Sequence, residues 1–245
     1  MASSPVLGAV LLGPHVADIH GLPTTALALS VEGRLEVGHR GRTHRATAFA
    51  LGSDVPHTGA GAGAHVIVSL DDLHPLGRAL SAAHPSVYGD PPWARRLCRV
   101  VRRHAFELER PGVLLPLLEE GLRQAATRED WRAPQLDDRV AQAIEAIEAA
   151  VVRGVRTPRP LVGGISAPHL RALFKRDLGR TISQHTRQRR LLVAMGRVGR
   201  GASATRAAHD AGFADAAHLS RTVRLAYGTT LRALGRGHTR VSPSR

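Results

Sequence analysis

Cysteine is almost missing from this chain: its 245 residues hold one, Cys98. A single thiol excludes an internal disulfide and a cysteine-based zinc site, and it suits a reducing compartment, so a cytoplasmic location is expected. Long apolar runs are also lacking. Val6 to Leu12 is too short to span a bilayer and has no basic leader before it, so neither a signal peptide nor a membrane partner is expected. No phosphate-binding glycine loop, Gly-x-Ser-x-Gly elbow or nucleophile beside a base occurs, so no catalytic residue and no cofactor is assigned. Lysine is nearly absent too: all basic residues but Lys175 are arginine. That skew reflects base composition first, although arginine also brings a planar fork suited to phosphate and guanine edges.

Positive charge is abundant and unevenly placed. The chain carries a net charge of +14, and residues 130 onward hold 21 basic against 8 acidic side chains, whereas residues 1–129 hold 13 against 12. A solubilising bias would fall on both halves alike; an excess confined to one half points to a polyanion, here double-stranded DNA.

The pattern divides the chain into three parts: 1–75, rich in short strands; 76–129, helical; and 130–238, basic and helical. In the first, Leu27, Leu29 and Val31 alternate, Glu32-Gly33 offers a turn, and Leu35 and Val37 resume the alternation. Strands this short suggest a small barrel or sandwich. Leu76, Leu80 and Ala83 fit a helix; a second follows Pro91-Pro92 through Arg103, and a third spans Leu114 to Ala126. Thr127 to Pro134 reads as a polar linker. Beyond it, Asp137 or Asp138 caps a helix whose Val140, Ile144, Ile147 and Val151 recur at helical spacing. Thr157 to Gly164, with two prolines and two glycines, leaves room for a short helix at most, and a longer helix is expected from about Ser183 to Val198.

Sixteen residues recur 49 positions on: Ser166 to Thr181 and Asp215 to Thr230, identical at five positions. Each copy has a cap (Ser166 or Asp215), an apolar stripe, a basic outer face and a terminating glycine, Gly179 or Gly228. In the second copy Leu219, Val223 and Ala226 face inward, leaving Ala217, His218, Arg221 and Arg224 outward. In the first, Leu170, Leu173 and Phe174 face inward, leaving Pro168, Arg171, Ala172 and Lys175 outward. A helix entering the major groove by its N-terminal turns reads bases with its early outward residues, Arg171 and Arg221 foremost, and holds phosphate with Lys175 and Arg224. Ser203 to Ala211, a corner at Gly212 and the second copy make a helix-turn-helix sequence.

These marks, with Arg190-Leu191, Ala207 and Gly212-Phe213-Ala-Asp215, make the stretch from Asp138 to Leu234 similar to the DNA-binding domain of AraC/XylS-type transcriptional regulators. The resemblance implies seven helices in two helix-turn-helix units joined by a long helix. By position it puts base contacts on Pro168, Arg171 and Ala172 and on Ala217, His218 and Arg221. The chain departs from the family at Arg159 to Gly164, where a fuller helix is usual, and at Val223 and Thr230. The resemblance also implies, more weakly, that His15 to Asp72 is a cupin-like barrel. The expected fold is therefore α+β: a small N-terminal cupin-like β barrel with a helical extension, then an all-α domain with two helix-turn-helix units.

Nine of the fourteen histidines lie between His15 and His104. A catalytic cupin needs two histidines one residue apart, a following Glu and a distant third His; those spacings are missing, so no metal is assigned. His20 and His57 are the candidates for an effector site. The expected function is a sequence-specific DNA-binding regulator, not an enzyme, with a small-molecule effector, a homodimer formed through the helices from Leu76 to Ala126, and RNA polymerase as a further partner. Two other readings stay open: a small-ligand or metal-dependent cupin enzyme with an accessory basic domain, and a nonspecific architectural DNA binder.

Overall fold

The computed structural model describes residues 6–12, 14–71, 73–104, 111–160, 162–228, 230–231 and 239–241. The chain folds as two compact units, Met1–Ala133 with Val223–Arg245, and Pro134–Thr222. The first is β-rich with helices and the second helical, so the chain is α+β.

In the first unit, β1 (Val6–Leu12), β3 (Ala26–Ser30), β6 (Ala48–Leu51), β8 (His65–Leu70), β9 (Val87–Gly89) and β10 (Thr239–Val241) form one sheet in the order β10-β1-β8-β3-β6-β9. The other sheet runs β2-β7-β4-β5, from β2 (His15–His20), β7 (His57–Gly61), β4 (Leu35–His39) and β5 (Arg42–Ala46). All pairings are antiparallel. Among the described residues neither sheet closes on itself, so what stands where a barrel was expected is two open sheets, and the barrel is not confirmed. The four-stranded one stops at β5, where Arg42, Thr43, His44 and Arg45 are all exposed, and charged side chains on an edge oppose further pairing.

Strand β3 is buried along its whole length because both its faces are covered. Leu27 and Leu29 pack with Val66, Val68, Leu80, Trp93, Leu97 and Leu118 on the helical side, where α1 (Pro75–Ala83), α2 (Pro92–Arg103) and α3 (Pro111–Arg128) lie. Ala26 and Ala28 turn the other way, into a cluster with Leu22, Leu35, Val37, Phe49 and Leu51 between the sheets. The alternation legible in the sequence is thus large residues toward helices and small ones toward the second sheet. Cys98 is core: its thiol donates to the Ser30 carbonyl at 3.0 Å, and burial pushes its pKa up. No helix among the described residues is long and apolar enough to cross a membrane.

The second unit contains α4 (Asp138–Val152), α5 (Ala167–Leu178), α6 (Ile182–Gly199), α7 (Ala204–Asp210) and the first turns of α8 (Ala216–Tyr227). Asp137, not Asp138, caps α4 by accepting from the Arg139 N–H at 3.0 Å. Helix α6 starts one residue earlier than expected because Thr181 and Gln184 form a reciprocal capping box. The apolar stripe of α4, Val140, Ala143, Ile144 and Ile147, is buried.

Candidate nucleic-acid interface

Helix α7 begins at Ser203, whose hydroxyl accepts from the Arg206 N–H at 3.2 Å, and ends on Ala211. Gly212 then turns the chain at φ +75°, a conformation that favours glycine, and a Cβ there would stand 3.2 Å from the Gly154 carbonyl oxygen, a tight approach. Asp215 opens α8 by accepting from the His218 N–H at 2.6 Å. Leu219, Val223 and Ala226 are buried, as their spacing requires, and Phe213 fills the corner with its ring 5.3 Å from that of His218. This leaves Ala217, His218, Arg221 and Arg224 exposed on one face. Arg221 makes no hydrogen bond or ion pair among the described residues, so its guanidinium is free for an external acceptor. Arg224 is committed: it pairs with Asp18 at 3.0 Å. Because a carboxylate cap is a charge-assisted bond, Asp215→Ala is expected to cost about 1 kcal/mol, measured as a lower urea midpoint, whereas Asp215→Ser recovers most of it.

Copy one forms a helix of the same build. Ser166 accepts from the His169 N–H at 3.4 Å, Pro168 stands in the first turn, Leu170, Leu173 and Phe174 are buried, and Gly179 ends α5 at φ +68°. Pro168, Arg171, Ala172 and Lys175 are exposed. Lys175 reaches the Gly179 carbonyl oxygen with its ammonium at 2.6 Å, which closes the C-terminus of its own helix. What precedes α5 differs from what precedes α8: among the described residues, no helix lies between Arg153 and Ser166. Even the short helix allowed for Thr157 to Gly164 is therefore not formed there, because the prolines remove amide donors and the glycines favour open backbone. This segment is held instead by Arg190, whose guanidinium donates to the Val155 and Arg156 carbonyls.

The long helix α6 carries a buried polar group that the apolar pattern does not disclose. Arg180 bonds Gln188, Arg189 pairs with Glu148 at 2.9 Å, and His185 is fully buried with its ring 5.4 Å from that of Phe174. Burial, then the nearby Arg180 and Arg189 charges, hold the His185 pKa well below its ordinary value, so the ring is neutral.

In the first unit, His20 and His57 are direct cross-strand partners whose rings lie 4.3 Å apart. Both are buried. His20 Nδ1 bonds the Asp18 carbonyl at 2.7 Å, and His57 Nδ1 bonds that of Val55 at 2.8 Å. A ring that donates through Nδ1 keeps a lone pair on Nε2. Burial lowers both pKa values, that of His57 to about 4. No group of three or more His, Cys, Asp or Glu able to hold a metal exists among the described residues.

Residues 163–237 match the family described as "Helix-turn-helix domain", and the chain carries such a domain of the AraC type. That domain makes the protein a DNA-binding transcriptional regulator. Solved structures of ToxT from Vibrio cholerae share the fold across nearly the whole chain. An apo ToxT variant from strain SCE256 is 7% identical with a TM-score of 0.59, covering 95% of this chain and 99% of that one. ToxT from strain O395 is 9% identical with a TM-score of 0.55, covering 93% and 96%. Wild-type ToxT from strain SCE256 bound to an unsaturated fatty acid is 10% identical with a TM-score of 0.52, covering 94% and 95%. No curated protein sequence matches the chain.

Proposed function

We propose that α8 is the principal reading helix, entering the major groove with Ala217, His218 and Arg221, and that α5 contributes mainly backbone affinity through Arg171 and Lys175, with Pro168 and Ala172 at the groove surface. The observation that carries this is the unpaired Arg221 on an exposed face in the second turn of a capped helix that follows α7 through a glycine corner. Only α8 has that preceding helix among the described residues, and it is the preceding helix that buttresses a reading helix against the duplex backbone.

The two-sheet region is proposed to bind a small-molecule effector, with His20 and His57 as its polar contacts; a ToxT structure with a bound fatty acid supports effector binding in this fold. A cupin-like ancestry for these sheets, pairing of two chains through the helices from Leu76 to Ala126 and contact with RNA polymerase complete the proposal.

The test is in vitro selection of duplexes from a random library by the full chain at roughly physiological salt. One strong short block of sequence, with at most a weak second block about one helical turn (~34 Å) away, is expected. Recovery of no motif would overturn the reading. On the selected duplex, Lys175→Ala is expected to weaken all sequences alike and to lower the slope of log K against log salt by about 1; a change of sequence preference would put α5 among the base readers.

A further inference from the structure

The C-terminal turn of α8 is joined to β2. Residues from Val223 onward belong to the same compact unit as the sheets. The Asp18 N–H donates to the Gly228 carbonyl at 3.2 Å and the Gly21 N–H to the Leu225 carbonyl at 3.4 Å, so this turn occupies backbone positions along the outer edge of β2. Arg224 adds its ion pair with Asp18. At Gly228, where φ is +64°, a Cβ would lie 2.7 Å from both the Asp18 carbonyl oxygen and His20 Nδ1, which shows how closely the turn is applied. Between Arg224 and Gly228 stands Tyr227, packed against the cluster between the sheets that includes Leu22, Leu35, Val37 and Phe49. Burial pushes its hydroxyl pKa up to about 12.

A reading helix thus places a phenol ring against the apolar interior of the region expected to bind a small molecule. The cluster is made of aliphatic and aromatic side chains, among them the small Ala26, Ala28 and Ala46. The neutral imidazole of His20 lies beside the turn, with that of His57 4.3 Å behind it, and both offer hydrogen bonds without charge. We infer that the seat of Tyr227 against the two-sheet core is a binding site for a small, uncharged, phenol-like molecule, and that its occupant expels Tyr227, loosens the last turn of α8 from β2 and frees Arg224 for a DNA phosphate. Tyr227 is then a built-in competitor for the effector, and Asp18 a competitor for the phosphate. This rests on the reading of α8 as the principal DNA contact.

The probe is 4-methylphenol, the free counterpart of the tyrosine side chain. Titrated calorimetrically into the full-length Tyr227→Ala variant it is expected to bind saturably, and at least about ten-fold more weakly to the unsubstituted chain, whose seat is filled. Because exposed ion pairs shift an equilibrium only a few-fold, Asp18→Asn is expected to bind the selected duplex about three-fold more tightly. Glu32→Gln, which removes the same charge from an exposed turn of the same unit, should leave that affinity unchanged. Absence of saturable binding to Tyr227→Ala overturns the seat, and unchanged or weaker DNA binding by Asp18→Asn overturns the competition; the second arm leaves the core intact and needs no Tyr227 variant to fold. If Arg221→Ala also leaves DNA binding unaltered, the assignment of α8 fails, while the calorimetric arm still decides the seat.

Discussion

Replacing Arg221 by alanine is expected to cost about 1–3 kcal/mol of affinity for the selected duplex while leaving affinity for unrelated DNA nearly unchanged. The size follows from the chemistry. A guanidinium that reaches a guanine edge makes two parallel hydrogen bonds, and its loss leaves base acceptors without their partner. The selectivity follows from position: Arg221 lies in the second turn of α8, within the N-terminal half by which a reading helix faces base edges, whereas Lys175 lies in the last turn of its own helix. Arg221 also has no internal hydrogen bond or ion pair among the described residues, so alanine removes no polar contact the fold uses. The check is competition binding on cognate and scrambled duplexes together with the urea midpoint. Equal loss on both duplexes would demote Arg221 to a phosphate contact, and a lowered midpoint would make it structural.

Acidification is the second large effect expected. His57, His20 and His185 are all held neutral by burial, with folded-state pKa values below the ordinary 6.5. An unfolded chain takes up protons on these rings near pH 6.5, while the folded chain refuses them, so the unfolded state is favoured as pH falls. Their contribution is fully present above about pH 6.5 and is lost progressively toward pH 4, where His57 itself becomes protonated in the fold. For His57 the gap between 6.5 and about 4 corresponds to about 3 kcal/mol. The His20 ring lies 4.3 Å from that of His57, tilted by 53°, so a charge on His20 opposes protonation of His57 and the two contributions do not simply add. The urea midpoint should fall steadily from pH 7.5 to pH 4.5, and His57→Leu should flatten that fall. A midpoint independent of pH over this range would show that the rings are solvated.

The reading helices are legible in residue order because their determinants are local. A cap at Ser166 or Asp215, an apolar stripe at Leu170/Phe174 or Leu219/Val223, and a glycine at positive φ act within a dozen residues. The short strands are legible for the same reason, since Leu27 and Leu29 alternate with small residues. Closure of the sheets is not, because it depends on which edges pair, and a charged β5 leaves an edge open. The polar core of α6 is equally hidden: His185, Gln188 and Arg189 break the apolar stripe that marks an inward face, and they are buried against partners from elsewhere, Arg180 on Gln188, Glu148 of α4 on Arg189 and the Phe174 ring beside His185.

By itself the sequence determined the class of this protein. Two repeated basic helices and a charge excess confined to one half are written in residue order, and DNA recognition needs little more than those side chains on helices. Tertiary structure decided how the copies differ and what restrains them. Arg221 and Arg224 stand three residues apart on one exposed face, yet one is free and the other meets Asp18, 206 residues away in the chain. His20 and His57 are scattered in sequence and become ring neighbours only through the pairing of β2 with β7. Local pattern specifies what a helix can present; long-range packing, which no short window encodes, sets which of those groups remain available.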